Sequence, residues 1–382
     1  MNPALGGLSA FVRTLTPALA ALGHSSEIVC VDDPREPFLN ALPVPVHALG
    51  PARLGFAYAP RLLTWLRAEG TRFDTVIVHG LWQYHGLATH RALTRPDSPP
   101  YFVFAHGMLD PWFKRTYPLK HCKKLIYWWL AERRILRGAA AVLFTCDEER
   151  RLARESFAGS SYPERVVTFG TAPPPDEPAA QREAFFRHAP ELRHGPYWLF
   201  LGRIHPKKGV DLLIEAYARL AARGVALPRL VMAGPCADPS YLRQLQQQAA
   251  ATCPKGMLAW PGMLNDDLKW GALRGAEVFV LPSHQENFGI AVVEALACGT
   301  PVLISNQVNI WREIARDGAG LVEPDTAEGT LRLLSRWVGL DAESVHHMRT
   351  AARCSFQQRF EIGAVARSLL AVLQEAPRGR SP

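Results

Sequence analysis

Tyr197-Trp198-Leu199-Phe200-Leu201, closed by Gly202-Arg203 and followed by Val210 to Ala222, is the stretch that decides the fold. An unbroken apolar run ending in a glycine turn reads as a strand buried on both faces, because a strand with one wet face would alternate. From Val210 the period becomes helical, with Leu213, Ile214, Tyr217 and Leu220 on one side. A buried strand feeding an amphipathic helix is the unit of a parallel sheet with crossover helices. Thr75–Val78, Tyr101–Ala105, Ala141–Phe144, Arg229–Ala233, Val278–Leu281 and Val302–Ile304 repeat the apolar run, and Ala291 to Ala297 is a short apolar helix. The class is α/β.

A chain of 382 residues exceeds what one hydrophobic core usually sustains, so two domains are expected. A break falls at Gly170 to Ala180, where Thr171-Ala172-Pro173-Pro174-Pro175-Asp176-Glu177-Pro178 can neither continue a helix nor donate to a strand ladder. The second half then restarts with its own strand, so each half reads as a separate Rossmann-like unit, with ligands beyond the carboxyl ends of the strands. The expected boundaries are 1–172 and 173–355, followed by a terminal helix over 356–376 that packs back on the first domain.

With 48% hydrophobic and 20% charged residues, the composition is that of a globular protein with a large core. Seven scattered cysteines show neither metal-ligand nor disulfide spacing and read as reduced thiols. There is no apolar run of about 18 residues and no basic start leading into an apolar stretch, so a cytoplasmic location is expected.

The net charge of +8 is concentrated between Trp112 and Arg137, where Lys114, Arg115, Lys120, Lys123, Lys124, Arg133, Arg134 and Arg137 lie among Trp112, Phe113, Tyr117, Tyr127, Trp128 and Trp129. Cations interleaved with aromatics suit an anionic membrane surface at the inner face of the cell membrane. The alternative is a solvated helix whose aromatics belong to the core. Nucleic acid is not expected as a partner, since no recognised binding signature accompanies the patch.

Two loops carry candidate chemistry. Gly202-Arg203-Ile204-His205-Pro206-Lys207-Lys208-Gly209 joins the decisive strand to its helix, and brings Arg203 and Lys208 to a helix start that already favours an anion such as a diphosphate. Neither a dinucleotide nor a P-loop fingerprint is present. The second loop holds Glu286-Asn287-Phe288-Gly289, with Glu294 further on among Ala, Val and Leu. A carboxylate on so apolar a helix needs partners, which paired sugar hydroxyls, a basic side chain or backbone amides could supply. Eight residues of helix rise about 12 Å, too far for a glycosidase acid/base pair but suited to gripping two parts of one long ligand. Asp266-Asp267 reads as a helix cap rather than a metal site.

Gly202-Arg203, Lys208-Gly209 and the Glu286, Glu294 pair around Asn287-Phe288-Gly289 resemble the retaining glycosyltransferases of family 4, also called glycosyl transferases group 1. The resemblance spans nearly the whole chain and is strongest from Trp198 to Val322. It implies the GT-B fold, in which two Rossmann-like domains face across a cleft, and a hexosyltransferase that takes neither metal nor organic cofactor. Arg203 and Lys208 would then bind the diphosphate of a nucleotide-sugar donor, Glu294 the ribose hydroxyls and Glu286 the transferred sugar. The backbone of Asn287, Phe288 and Gly289 would reach the sugar or phosphates, and the loop at Met263 the base.

In the first half, Gly6-Gly7 resembles the family's glycine loop, which implies that Gly7 approaches the diphosphate. His106 would reach the sugar and the acceptor side, although His79-Gly80 has the same local pattern. The family normally places a strand before that loop, and here Met1-Asn2-Pro3-Ala4-Leu5 leaves no room for one, so a first strand is expected to be missing. The expected reaction moves a hexose from a GDP- or UDP-sugar to a glycan or lipid-linked acceptor, as in exopolysaccharide, O-antigen or other cell-surface polysaccharide synthesis. A non-catalytic nucleotide-sugar sensor and a nucleotide-sugar epimerase are the alternatives on the same scaffold.

Overall fold

The computed structural model describes residues 1, 7–53, 55–116, 118–159 and 161–375. It forms two compact units, Met1–Gly170 with Ile362–Pro382, and Thr171–Glu361. The proline-rich segment after Gly170 is shorter than the sequence suggests. Pro178 opens a helix, Pro178–His188, at the first-turn position where a missing N–H costs nothing.

Strands are numbered along the chain: β1 Ile28–Cys30, β2 Val46–Ala48, β3 Val76–His79, β4 Tyr101–Phe104, β5 Ala141–Phe144, β6 Glu164–Val166, β7 Tyr197–Leu201, β8 Arg229–Ala233, β9 Leu258–Gly262, β10 Val278–Leu281, β11 Val302–Ser305 and β12 Gly320–Glu323. In the first unit β3-β4-β5-β6 form one parallel sheet, and β1 pairs with β2 in a separate parallel sheet. The second unit holds a six-stranded sheet in the order β12-β11-β10-β7-β8-β9, all parallel. Seven strands coincide closely with the apolar runs of the sequence. The five that do not, β1, β2, β6, β9 and β12, all sit at sheet edges, where one side is wet and no continuous apolar run is needed.

Strand alternation builds the first unit's core. Tyr101, Val103 and Ala105 face one cluster with Leu62, Leu66 and Trp128, whereas Phe102 and Phe104 face a second with Phe11, Leu15, Val365 and Leu369. Helices Gly7–Ala21 and Ile362–Gln374 cover that second face. The terminal helix expected over 356–376 is divided. A π-turn at Phe356–Phe360 stays with the second unit, where Thr171 N–H donates to the Phe360 carbonyl at 3.0 Å, and only Ile362–Gln374 joins the first.

The basic stretch is also sorted by the structure. Trp128 is fully buried and Tyr127 packs on the same core, so these two aromatics are structural. The described residues left exposed on helix Pro118–Tyr127 and the π-turn Trp128–Glu132 are Cys122, Lys123 and four large apolar ones: Leu119 (83%), Ile126 (64%), Trp129 (52%) and Leu130 (69%). The side chains of Phe113, Arg115, Tyr117 and Lys120 lie outside the described residues.

Candidate functional site

Strands β7 and β10 are sheet neighbours, and the loops at their carboxyl ends are stitched together. After β7, Gly202 N–H donates to the Ala233 carbonyl and Ile204 N–H to the Pro235 carbonyl, which ties this loop to the one after β8. Pro206–Lys208 forms a 3-10 turn capped by His205, whose Nδ1 accepts from Lys207 N–H at 3.1 Å. Gly209 ends the turn at φ +64°, and a Cβ there would lie 2.2 Å from the Pro282 carbonyl oxygen. Only glycine lets the turn press so closely against the end of β10.

Several polar contacts join the two loops. The Lys207 carbonyl accepts from His284 N–H at 2.8 Å and from Ser283 Oγ at 2.9 Å, while Lys207 Nζ donates to Gln285 Oε1 at 3.1 Å. Lys208 Nζ pairs directly with Glu286 Oε2. Glu286 is fixed from behind by the loop after β11: its N–H donates to the Gln307 carbonyl at 2.9 Å and its carbonyl accepts from Asn309 N–H at 3.0 Å. Arg203 is exposed two residues beyond β7. Burial, and then the charges of Arg203, Lys207 and Lys208, hold the His205 imidazole below its ordinary pKa, so the loop gathers three cations around one neutral ring.

Asn287 Oδ1 accepts from Asn309 Nδ2 at 3.4 Å. The Phe288 ring is buried edge-on to Phe360 with ring centres 5.9 Å apart, so its side chain belongs to the core. Gly289 has φ +82° and starts helix Ile290–Ala297. On that helix Glu294 does have a partner, Lys269, whose Nζ lies 2.6 Å from Oε1. Lys269 sits on helix Asp266–Gly275, which begins at the loop carrying the exposed Met263. The helix cap is Asn265, not the aspartate pair; Asp266 and Asp267 occupy the first turn, where the helix dipole favours acids.

Gly7 and His106 belong to the first unit. Gly7 opens helix Gly7–Ala21, and a Cβ there would meet no described residue within 4 Å. Its neighbour Gly6 lies outside the described residues. His106 follows β4 at φ +51°, and His79, at the end of β3, is its partner: Nδ1 of His79 lies 3.1 Å from Nε2 of His106. Burial pushes the His79 pKa down to about 4 and lowers that of His106 too, so both rings are neutral near pH 7.

Two groups escaped the sequence. Lys269 looks like an ordinary surface lysine of an amphipathic helix, and its position four residues after Asn265 carries no signal until Glu294 is placed opposite. Glu149 sits in the charged run Asp147-Glu148-Glu149-Arg150-Arg151, which reads as a wet helix face, yet it is buried and accepts from Gly107 N–H and from Thr145 N–H and Oγ.

Known proteins resemble this chain over most of its length. The family profile described as "Glycosyl transferases group 1" matches residues 181–354, and "Glycosyl transferase 4-like domain" matches 6–170. The chain is similar to a D-inositol 3-phosphate glycosyltransferase of Jonesia denitrificans, 28% identical over 64% of this chain and 59% of that one. A second protein of that description, from Geodermatophilus obscurus, is 38% identical, but the match spans only 35% of its length. An alpha-D-kanosaminyltransferase of Streptomyces kanamyceticus is 26% identical over 85% of this chain and 89% of its own.

Among solved structures, sucrose-phosphate synthase from Thermosynechococcus elongatus superposes with TM-score 0.73 at 20% identity, covering 97% of this chain and 93% of that one. Anabaena HepE in complex with UDP and glucose gives 0.71 at 15% identity, with 97% and 96% covered. At such identities the likeness establishes the GT-B fold. Taken with the two profile matches, which together span most of the chain, it means that this protein belongs to the group 1 glycosyl transferases of family 4.

Proposed function

We propose that the protein is a retaining hexosyltransferase that moves a hexose from a GDP- or UDP-sugar to a glycan or lipid-linked acceptor, in exopolysaccharide, O-antigen or other cell-surface polysaccharide synthesis. The observation that carries this reading is the meeting of Lys208 and Glu286 from separate loops at the carboxyl ends of β7 and β10. A diphosphate arriving there competes for Lys208 and releases the Glu286 carboxylate to accept hydrogen bonds from the sugar hydroxyls. Arg203 and Lys208 then stabilise the negative charge that builds on the departing diphosphate, the charge development that fixed cations serve best. Charge neutralisation is thus assigned to side chains, and neither metal nor organic cofactor has a role.

Glu294 is assigned the ribose hydroxyls, the loop at Met263 the base, and the backbone of Asn287, Phe288 and Gly289 the sugar and phosphates. The family resemblance further assigns Gly7 to the diphosphate and His106 to the sugar and acceptor. Relatives named as mannosyl- and kanosaminyltransferases, and HepE crystallised with UDP-glucose, support a nucleotide-sugar donor. We place the enzyme in the cytoplasm, peripheral to the inner face of the cell membrane. Support comes from the exposed Leu119, Ile126, Trp129 and Leu130 among the basic residues of that segment.

Incubating the protein with UDP- and GDP-sugars and glycan or lipid-linked acceptors, and weighing the products by mass spectrometry, tests the reading. Transfer is expected for the native chain, with a fall of about 100-fold or more for Lys208→Ala. Transfer by Lys208→Ala at the native rate overturns it.

A further inference from the structure

We infer that His79 is a positioning residue: its Nδ1 holds Nε2 of His106, fixing that ring so that its other nitrogen is presented to a hydroxyl of the bound sugar. The inference rests on the role given to His106 above and adds a residue to it.

Three constraints converge on His106. Its backbone sits at φ +51°, a left-handed conformation that costs a non-glycine residue about 1–3 kcal/mol unless the surroundings impose it. The imposition comes from the following residue: Gly107, at φ +71°, donates its N–H to Glu149 Oε1 at 2.5 Å. Glu149 Oε2 also accepts from Thr145 N–H and Oγ, each at 2.6 Å, so one buried carboxylate clamps the ends of β4 and β5. Ring packing supplies the second constraint. The imidazole lies nearly parallel to His79 and Phe104, each with ring centres 5.3 Å away, and tilted against Phe169 at 5.0 Å.

Hydrogen bonding is the third constraint. Two neutral imidazoles can join nitrogen to nitrogen only when one brings the proton and the other the lone pair. Each ring's tautomer is thereby set by its neighbour's. The nearby His85 does not interrupt the pair, because its Nε2 lies 3.1 Å from the Gly80 carbonyl oxygen. Among the described residues, Nδ1 of His106 is left buried and without a partner. A buried polar atom left so costs about 1–3 kcal/mol, which folding alone does not explain; a ligand hydroxyl can donate to it or accept from it.

The asparagine amide occupies the place of imidazole Nδ1, whereas the glutamine amide reaches the place of Nε2, so His79→Asn and His79→Gln separate positioning from bulk. In the full-length protein, transfer by His79→Asn is expected to stay near native. His79→Gln should lower kcat by about tenfold or more with the donor KM little changed. Independently of activity, nitrogen NMR of histidine-labelled protein, with His106 assigned through His106→Ala, should find one neutral tautomer of His106 in the native chain and in His79→Asn, and a mixture in His79→Gln. Equal kcat and an unchanged His106 tautomer in His79→Gln overturn the inference. If the native protein transfers no sugar, the NMR comparison still decides whether His79 sets His106, and the failure then lies with the proposed function.

Discussion

Lys269 on helix Asp266–Gly275 closes on Glu294 of helix Ile290–Ala297, with 2.6 Å between Nζ and Oε1. Both side chains are mostly buried, and Glu294 has apolar neighbours along its helix, so the pair is what makes the carboxylate tolerable there. Removing Lys269 alone leaves a charge without compensation. Lys269→Met is therefore expected to lower stability by about 1–2 kcal/mol, and the double variant with Glu294→Gln to recover most of the loss. Thermal denaturation of the single and double variants checks this; a Lys269→Met protein as stable as the native one removes the coupling.

Gly209 and Gly7 should respond to alanine in opposite ways. A Cβ at Gly209 meets the Pro282 carbonyl oxygen at 2.2 Å, and its φ of +64° is strained for any other residue, so Gly209→Ala is expected to cost about 1–3 kcal/mol. It should also weaken donor binding by displacing the loop that bears Lys208. A Cβ at Gly7 meets no described residue, so Gly7→Ala is expected to leave the melting temperature unchanged or slightly raised. If the donor diphosphate approaches the Gly7 backbone as proposed, donor KM rises all the same. Unaltered KM in a fully stable Gly7→Ala protein withdraws Gly7 from the donor site.

These contrasts also mark where the sequence is informative. Buried parallel strands such as β4, β5 and β7 announce themselves because both faces must be apolar, and the loops that follow them inherit a reliable address. Hence Lys208 and Glu286 could be paired in function before they were paired in space. Edge strands such as β6, Glu164–Val166, carry no such requirement and look like loop. The partners of Glu294 and His106 were hidden for another reason. Lys269 and His79 are remote in sequence from the residues they hold, and a lysine or histidine at the end of an ordinary element has no local pattern that names its tertiary partner.

Glu132 gives the fold a pH dependence of definite sign. Burial pushes its carboxyl up from an ordinary 4.5 to about 7, against the opposing pull of the Trp82 N–H it accepts and of the Lys124 charge. A carboxyl whose folded pKa is raised binds its proton more tightly in the native state. Its contribution is present in full below pH 4.5 and is lost as pH rises through 7. Glu132→Gln keeps an acceptor for Trp82 and has no proton to lose, so above pH 7 it should be more stable than the native chain by about 1–3 kcal/mol. Melting curves from pH 5 to 8.5 should converge at the acid end and separate at the alkaline end. Parallel curves mean that Glu132 is already ionised in the fold at low pH.

Leu119, Ile126 and Leu130 leave an aliphatic strip in water on a segment whose neighbours include Lys123, Arg133 and Arg134. Burying each aliphatic side chain in the interfacial region of a bilayer is worth about 1–2 kcal/mol, and each basic residue near an anionic surface adds about 1 kcal/mol that salt removes. Neither contribution alone gives stable adsorption, so the proposed membrane docking predicts binding that needs both the strip and anionic lipid. Flotation with vesicles containing phosphatidylglycerol should carry the protein at low salt, and phosphatidylcholine vesicles should not. Leu119→Ser, Ile126→Ser and Leu130→Ser combined should lower partitioning by about 100-fold without changing the melting temperature, since none of the three supports the core. Equal flotation on neutral and anionic vesicles, or an unaffected triple variant, would show that this strip has another purpose than docking on a membrane.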